Sequence, residues 1–435
     1  MKYGLIIIIW LAVWEIVSLF VNNNILLVGP WDVCLALVNR LAYLDFYKSI
    51  VFTFGKIGLG FVTGAVVGGI LAVISWKNHF LEDLLTPLIS FMKAAPVAAF
   101  VVLFLIWWNS RVLSVAICIC IVLPQIYVSI LQGLQNADKE LLEVAKVFDF
   151  SVIDRINYIY RPKICEYLEG AVKVSVGMAW KASVAAEVIG TPEYSIGNKL
   201  YMSKIYLDTA GVLAWTLVII LLSLVCERLM LMLVGKYAKY EFSCRGSATH
   251  NNRLIQSENE TGLVINGLCK SYGENHILKD FSEEYTIGKE YRYEWPSGAG
   301  KTTLFKIVAG LVEADSGSIE PKDYSVSMVF QDNRLIEAFS AVTNVSLICG
   351  SRKKAEDILL SLLGKEEIIR PVATLSGGQK RRVSIARAIA KNADIAMFDE
   401  PYEGLDEELK NKVQNMIMEY GQDKVLMISS HFGKK

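Results

Sequence analysis

A short run of small residues that ends in a lysine and two threonines carries the most specific chemistry in this chain. Pro296-Ser297-Gly298-Ala299-Gly300-Lys301-Thr302-Thr303 matches most of the phosphate-binding pattern G-x-x-x-x-G-K-[ST]. In such a loop, backbone N–H groups and a helix N-terminus surround the phosphates of a nucleotide. The Lys301 ammonium would add a positive charge, and the Thr302 hydroxyl would bind Mg²⁺.

The segment before this loop departs from the pattern. Trp295 stands where the first glycine is expected, and residues 291–295 alternate polar and aromatic side chains. A central parallel strand that is buried on both faces should instead be a continuous apolar run. We expect the bulk of Trp295 to narrow the loop entrance, which would affect turnover more than fold. The alternative, a chance match in a surface turn, is disfavoured by the motifs that follow.

Two further segments could act on the same phosphates. Ser376, Gly377, Gly378 and Gln379 begin a predicted helix, whose free N–H groups and positive dipole end would face an anion. Asp399 and Glu400 follow the apolar run 395–398, so they are predicted at the end of a buried strand. Asp399 would hold Mg²⁺, and Glu400 would act as the general base that polarises the attacking water. The alternative is a surface acidic pair.

These motifs resemble those of ABC-type ATPases. Leu375-Ser376-Gly377-Gly378-Gln379 is similar to the family's signature sequence, and Asp399-Glu400 to the end of its Walker B strand. The resemblance covers nearly all of residues 263–431. It implies ATP and Mg²⁺ as cofactors, and it implies that the signature faces the γ-phosphate held by another subunit.

The resemblance assigns roles to three more residues. Tyr272 is expected to stack on adenine, Gln331 to sense Mg²⁺ and the attacking water, and His431 to contact the γ-phosphate. Taken alone, each of these side chains would more often be structural. In the family's D-loop position Asp406 matches, whereas Glu403 is unusual. Family members usually continue with further strands, so we expect this domain to be short at its end.

Composition places these motifs beside a membrane. The chain has 435 residues, of which 53% are hydrophobic, and its formal net charge is zero. A mean hydropathy of +0.38 excludes an ordinary soluble protein. The balanced charge gives no reason to expect nucleic acid as a partner. The eight cysteines form no C-x-x-C pair, and we interpret them as reduced and structural.

Six apolar segments approach the roughly 20 residues that a bilayer-spanning helix needs. They are residues 4–21, 57–76, 84–108, 112–134, 170–189 and 210–233. The first is interpreted as a retained helix rather than a signal peptide, since no small-residue cleavage site follows. Basic residues concentrate after the fourth and sixth segments, which predicts both termini on the inner side. The ATPase domain would then lie in the cytoplasm, attached to the cytoplasmic membrane.

The predicted architecture is therefore multidomain. An all-α polytopic membrane domain would span residues 1–245, a polar linker 246–260, and an α/β P-loop ATPase domain 261–435.

The predicted cytoplasmic loop 139–163 connects the two chemistries. Its Glu143 and Ala145 resemble the E-A-A loop by which binding-protein-dependent ABC importers dock on their ATPase, although Asp149 stands where glycine is usual. Trp14-Glu15 and residues 95–98 and 185–190 resemble permeases of nitrate, sulfonate, taurine and pyrimidine-precursor importers. The resemblance implies uptake with an extracytoplasmic solute-binding protein. From the residues alone, the loop could be a mere connector.

Three charged residues fall within the apolar segments. Lys93, Lys181 and Glu187 could line a path for a polar or anionic solute. The alternative is that the lysines pair with carboxylates or extend to the membrane interface.

The combined prediction is an ATP-driven importer of a small polar or anionic solute that works as a dimer in membrane lipid. The partner chain would be a second copy or a paralogous half-transporter. One alternative is a regulatory or heterodimer subunit that binds nucleotide with weak or no hydrolysis, which Trp295 and Glu403 favour. The other alternative is an exporter.

Overall fold

The computed structural model describes residues 2–242, 261–296 and 298–430. It forms two compact units, Met1–Asn136 with Lys163–Ala238, and Ala137–Pro162 with Lys239–Lys435. The first unit is helical and the second is α/β, which confirms the predicted fold class. The predicted linker 246–260 lies outside the described residues.

The first unit is built from long apolar helices with short connections. Its helices are α1 (Lys2–Val21), α2 (Pro30–Leu41), α3 (Leu44–Lys77), α4 (His79–Ala94), α5 (Val97–Trp107), α6 (Ser110–Gln135), most of α9 (Arg161–Gly190), α10 (Ile196–Ile205) and α11 (Thr209–Ala238). By length and composition, α1, α3, α6 and α11 could each cross a membrane. These helices contain four of the six predicted spans.

The predicted span 84–108 is not one straight helix. Helices α4 and α5 meet at a bend of 102°, so they form at most one broken span or a re-entrant loop. The break falls at Ala95, whose backbone is extended (φ −69°, ψ 135°) before Pro96. A residue that precedes proline is disfavoured in the helical region, which explains why the apolar run does not continue as one helix.

The predicted span 170–189 lies within a continuous helix of 30 residues, α9. This helix is not among the described helices that are apolar enough to cross a membrane. The charged side chains of Lys173, Lys181 and Glu187 account for the difference. Among the described residues, the prediction of six spans is therefore reduced to four helices, or five with the bent pair.

Helices α3 and α6 approach each other closely because α3 carries small residues on one face. A Cβ on Gly60 would lie 2.6 Å from the Cβ of Cys118, and one on Gly68 would lie 2.7 Å from the carbonyl oxygen of Leu123. Small residues let helix backbones pack against each other in membrane proteins.

The second unit holds two sheets and the helices around them. The strands are β1 (Thr261–Tyr272), β2 (Asn275–Thr286), β3 (Glu290–Tyr293), β4 (Ser316–Glu320), β5 (Val326–Val329), β6 (Ile395–Asp399) and β7 (Val425–Ser429). The helices are α7 (Lys139–Val147), α8 (Val152–Arg155), α12 (Lys301–Val308), α13 (Ala341–Cys349), α14 (Arg352–Leu360), α15 (Lys365–Ile369), α16 (Gly377–Ile389) and α17 (Glu407–Tyr420). Strands β2-β1-β4 form an antiparallel sheet, and β3-β7-β6-β5 form a parallel one.

The expectation that the strand before the phosphate-binding loop is central is wrong for the described sheet. Strand β3 lies at its edge and pairs with β7 alone among the described strands. Strands β5, β6 and β7 are buried throughout, whereas in β3 only Tyr293 is buried. An edge strand tolerates polar residues such as the exposed Arg292, because one side of its ladder faces outward.

Candidate nucleotide-binding site

The phosphate-binding loop obtains its shape from two glycines. Gly298 and Gly300 have φ values of 81° and 95°, in the left-handed region that glycine adopts without strain. A Cβ on Gly300 would lie 2.9 Å from the Ile277 side chain, so this position also lacks room for one. Gly300 is the N-cap of α12, whose first N–H groups therefore face the loop.

Lys301 begins α12, and only 7% of this residue is exposed. Its Nζ donates to the carbonyl oxygen of Trp295 at 2.5 Å and to that of Ser430 at 3.4 Å. The lysine side chain thus lies across the loop between its first residue and the end of β7. From there its ammonium can exchange backbone carbonyl oxygens for phosphate oxygens.

Trp295 does not narrow the loop in the way that its size suggests. Its indole ring packs edge-on against the rings of Phe281, at 5.6 Å, and Tyr293, at 5.2 Å. Among the described residues, Trp295 does not line the cavity of about 280 Å³ beside the loop. The large side chain that replaces the expected glycine is accommodated in an aromatic cluster behind the loop.

Hydrogen bonds complete this cluster in the interior. The hydroxyl oxygens of Tyr285 and Tyr293 are 2.5 Å apart, and Tyr293 donates to a carboxylate oxygen of Glu283 at 2.8 Å. Burial raises the pKa of both tyrosine hydroxyls above their ordinary range, and Glu283 raises them further. Both hydroxyls therefore keep their protons and remain donors. The polar–aromatic alternation of β3 places Tyr293 in this network and Arg292 outside it.

Side-chain oxygen atoms that could bind a metal ion come together where β6 ends. The Thr302 hydroxyl donates to one carboxylate oxygen of Asp399 at 3.1 Å, and the Ser429 hydroxyl donates to the other at 2.5 Å. A hydroxyl beside a carboxylate suits Mg²⁺, which usually combines one or two protein oxygens with substrate phosphates and water. The described residues contain no group of three or more His, Cys, Asp or Glu that could hold a metal by themselves. The residues present therefore fit Mg²⁺ that is bound together with a nucleotide.

Glu400 is held in an unusual backbone conformation, with φ at 53°. Its N–H donates to the Ser429 hydroxyl at 3.1 Å, and the residue is 8% exposed. Left-handed φ values are uncommon for a residue with a side chain, and they persist where surrounding contacts impose them.

Arg381 supplies those contacts, and sequence reasoning did not assign it a role. One guanidinium nitrogen donates to the carbonyl oxygens of Asp399 and Glu400, both at 2.5 Å. The other guanidinium nitrogen donates to the backbone carbonyl oxygens of Phe330 at 2.6 Å and Gln331 at 3.1 Å. Burial lowers the pKa of Arg381, and Glu403, Asp399 and Glu400 oppose that shift. One buried cation thus joins α16 to the ends of β5 and β6. In the sequence, the only signal for such a role was the position of Arg381 in the predicted helix, two residues after Gln379.

A single cavity of about 280 Å³ brings most of the predicted residues together. Its lining consists of Tyr272, Ile277, Pro296, Gly298, Ala299, Gly300, Lys301, Thr302, Thr303, Gln331 and Glu400. The exposed ring of Tyr272 lies at the end of β1. Ser297 and His431, which were predicted to contact phosphates, lie outside the described residues.

The predicted signature residues are not part of this cavity's lining. The Ser376 hydroxyl caps α16 by accepting from the backbone N–H of Gln379 at 3.3 Å. In return, the side-chain oxygen of Gln379 accepts from the backbone N–H of Ser376 at 2.8 Å. A Cβ on Gly378 would lie 2.9 Å from the carbonyl oxygen of Gly404, so glycine is needed there. The start of α16 therefore lies outside the cavity beside the phosphate-binding loop of the same chain.

The predicted coupling residues pack within the second unit. Glu143 accepts from the Arg334 guanidinium at 2.5 Å, and Ala145 is fully buried. Lys146 donates to the carbonyl oxygen of Gly310 at 2.5 Å. Helix α7 therefore contacts the ATPase domain through two charged side chains.

The three charged residues predicted for a solute path occupy different environments. Lys93 and Lys181 are exposed in the first unit. Glu187 is fully buried and accepts from Thr53 at 2.9 Å, Ser114 at 3.1 Å and the Gly197 N–H at 3.2 Å. These contacts connect α3, α6, α9 and α10 through one carboxylate.

Two family models match the chain. The model for the ABC transporter matches residues 295–403. The model for the binding-protein-dependent transport system inner membrane component matches residues 64–239.

Curated relatives agree with these matches. The taurine import ATP-binding protein of Jannaschia sp. is 32% identical, over 39% of this chain and 72% of that protein. The sulfate/thiosulfate import ATP-binding protein of Bacillus cereus is 35% identical, over 36% of this chain and 50% of that protein. The lantibiotic transport ATP-binding protein of Streptococcus pyogenes is 33% identical, over 39% and 80% respectively.

A solved dimeric ATP-binding cassette with ADP and Pi is 25% identical to this chain, with a TM-score of 0.36. The match covers 39% of this chain and 88% of that one.

The chain belongs to the ABC transporter family and joins a permease domain of the binding-protein-dependent type to an ABC ATPase domain. The resemblance drawn from the motifs is therefore confirmed. The chain spans 64% of a probable ABC transporter ATP-binding protein of Azorhizobium caulinodans and half of the Bacillus cereus relative.

Proposed function

We propose that this chain drives ATP-dependent import of a small polar or anionic solute across the cytoplasmic membrane. It works as a dimer with an extracytoplasmic solute-binding protein, and its ATPase domain lies in the cytoplasm. The observation that carries this proposal is the segment 137–162, which interrupts the permease sequence and packs within the ATPase unit. Because this segment is continuous in sequence with helices of the first unit, it supports coupling of ATP hydrolysis to transport.

ATP would bind in the cavity beside the phosphate-binding loop. The loop N–H groups and Lys301 would hold the phosphates, and the exposed ring of Tyr272 would stack on adenine. Thr302 and Asp399, already joined by a hydrogen bond, would share Mg²⁺, and Gln331 also lines the cavity. Bound Mg²⁺ neutralises developing charge on the phosphates.

Glu400 is the residue proposed to activate water. It lines the cavity, and Arg381 and Ser429 fix its backbone. Its carboxylate would polarise a water that attacks the γ-phosphorus, so that ADP leaves and inorganic phosphate forms. His431, which follows β7 in the sequence, is proposed to contact the same phosphate.

The position of the predicted signature residues outside the cavity supports a dimer. The N-terminus of α16 carries Ser376, Gly377 and Gly378 outside the cavity lining of its own chain. Its N–H groups are suited to the γ-phosphate bound by a second ATPase domain. A second copy of this chain is the simplest partner, and a paralogous half-transporter is the alternative.

The solute class rests on weaker support. The permease motifs resemble those of nitrate, sulfonate, taurine and pyrimidine-precursor importers. Two of the relatives are named for the import of taurine and of sulfate or thiosulfate, which are sulfur oxoacids or their derivatives. Exposed Lys93 and Lys181 are the proposed cationic contacts for such a solute, whereas the enclosed Glu187 has contacts that suit a structural role as well.

A nucleotide-binding subunit without useful hydrolysis is the second candidate function. Trp295 and Glu403 were the features that favoured it, and the packing of the Trp295 side chain behind the loop removes much of the support that came from Trp295. An exporter is the third candidate. The 137–162 segment favours import, because it resembles the E-A-A loop of binding-protein-dependent importers.

The decisive experiment is ATP hydrolysis by the purified full-length chain in lipid, beside Glu400→Gln. We expect turnover that the substitution lowers by at least about 100-fold, since a positioned general base contributes roughly 10²–10⁴. ATP binding should persist in the variant, because Glu400 is not a phosphate ligand.

Two results would contradict the proposal. Absence of turnover in the unmodified chain, with ATP still bound, would favour the regulatory subunit. Turnover stimulated by a solute without any binding protein would favour an exporter. Stimulation by a solute-loaded binding protein alone would support import.

A further inference from the structure

The end of α7 is followed by a residue in a conformation that normally selects glycine. Asp149 has φ at 51°, in the left-handed region. Aspartate enters this region more readily than most residues, yet glycine does so without a side-chain penalty. An aspartate here therefore needs a reason beyond the shape of the turn.

Its carboxylate supplies one. The Nζ of Lys391 donates to an Asp149 carboxylate oxygen at 2.8 Å and to the carbonyl oxygen of Val147 at 2.7 Å. Lys391 follows α16, and its side chain is 3% exposed. Two of the three hydrogen-bond directions of this buried ammonium are therefore used by the 137–162 segment.

The surroundings make Lys391 dependent on that segment. Burial lowers the pKa of Lys391, and the hydrogen bond and charge of Asp149 oppose this shift, with Asp394 as a further negative charge nearby. Asp394 is itself occupied by the N–H and hydroxyl of Ser325, at 2.9 and 2.7 Å. A buried cation that loses its carboxylate partner is strongly destabilised.

An aromatic side chain completes the arrangement. Phe148 is fully buried, with the Arg387 guanidinium 5.2 Å from its ring centre and the Lys391 ammonium 5.8 Å from it. Phe148 and Asp149 are neighbours in the sequence, so the buried ring and the carboxylate that pairs with Lys391 lie on consecutive residues. Apolar burial and charge pairing therefore select the same register.

We propose that Asp149 and Lys391 are positioning residues that hold the 137–162 segment in one register on the ATPase domain. The carboxylate, and not the left-handed turn, is the selected feature at position 149. In the proposed transporter, the pair would determine how completely closure of the ATPase domains reaches the membrane helices. This consequence rests on the proposed function, whereas the pairing itself does not.

The test is amide hydrogen exchange of the full-length chain in lipid nanodiscs, followed by mass spectrometry of peptides from 139–150. Asp149→Gly keeps the turn and removes the carboxylate, and Lys391→Met removes the cation. We expect each to accelerate exchange in these peptides by about tenfold, because each breaks the ion pair between the buried Lys391 ammonium and the half-exposed Asp149 carboxylate. The double variant should exchange no faster than Lys391→Met alone, since both changes break one contact.

Two further variants separate positioning from general stability. Lys391→Arg keeps the charge and should restore most of the protection. Lys410→Met removes a half-exposed lysine 3.7 Å from Glu407 on α17, and it should leave residues 139–150 unchanged. ATP affinity should change less than about twofold in all of them, because Asp149 and Lys391 do not line the nucleotide cavity.

Protection that survives in Asp149→Gly would overturn the inference, because the turn alone would then suffice. Additive effects in the double variant would overturn it as well, since the two residues would then act separately. Neither readout requires hydrolysis. Failure of the pair and failure of the proposed transport function are therefore distinguishable.

Discussion

The two sides of the nucleotide cavity follow different rules. On the side of β6, Asp399 and Glu400 match the family pattern, and buried hydrogen bonds from Arg381 and Ser429 hold their backbone. On the side of β3, Trp295 and the tyrosines depart from the pattern, and aromatic packing holds them. The difference indicates that the residues proposed to act on the phosphates are held by directional hydrogen bonds, while the residues behind the loop are held mainly by aromatic packing.

Arg381→Met tests the constrained side and should have the largest effect on hydrolysis of the three substitutions that test this comparison. The change leaves four carbonyl oxygens without this donor and frees Glu400 from its imposed conformation. We expect kcat to fall about 100-fold, as misplacement of a catalytic group by about 1 Å can do. Steady-state hydrolysis and equilibrium ATP binding should be measured together. A fall in kcat of less than threefold would contradict the inference that Arg381 holds Glu400 in its conformation.

Trp295→Gly tests the tolerant side by restoring the family pattern. Hydrolysis should stay within about threefold, because the indole does not line the cavity. Stability should fall by about 3 kcal/mol through the hole left beside Phe281 and Tyr293, which corresponds to a loss of about 10 °C in melting midpoint. Trp295→Phe is the matched control and should lose less. A large rise in hydrolysis would mean that Trp295 does restrict the site.

Tyr293→Phe should have the smallest effect. It removes one hydroxyl from the network with Tyr285 and Glu283 and keeps the ring against Trp295. We expect a loss of about 1–2 kcal/mol, since buried partners lose a hydrogen bond, with hydrolysis unchanged. Thermal unfolding of the full-length chain checks the first expectation. Altered hydrolysis at constant ATP affinity would show that the two sides of the cavity are coupled.

Several features were accessible from sequence because they depend on local chemistry. Lys301, Thr302 and Glu400 were found by spacing, and they line one cavity. The edge position of β3 was not accessible, since strand order depends on partners more than 100 residues away in β7. The bend at Pro96 could have been predicted from the proline alone, but the apolar run 84–108 suggested a continuous span.

By itself, the sequence determined the class of domains, the phosphate-binding chemistry and the existence of a segment that resembles a coupling loop, because glycines, lysines and apolar runs act through local conformation and solubility. Only the tertiary structure decided where Trp295 packs, that Arg381 clamps the carboxylate strand and that Asp149 meets Lys391 across 242 residues. These contacts depend on which distant groups share a buried environment. Burial strengthens each hydrogen bond and ion pair, and a local sequence pattern does not show which groups will be buried together.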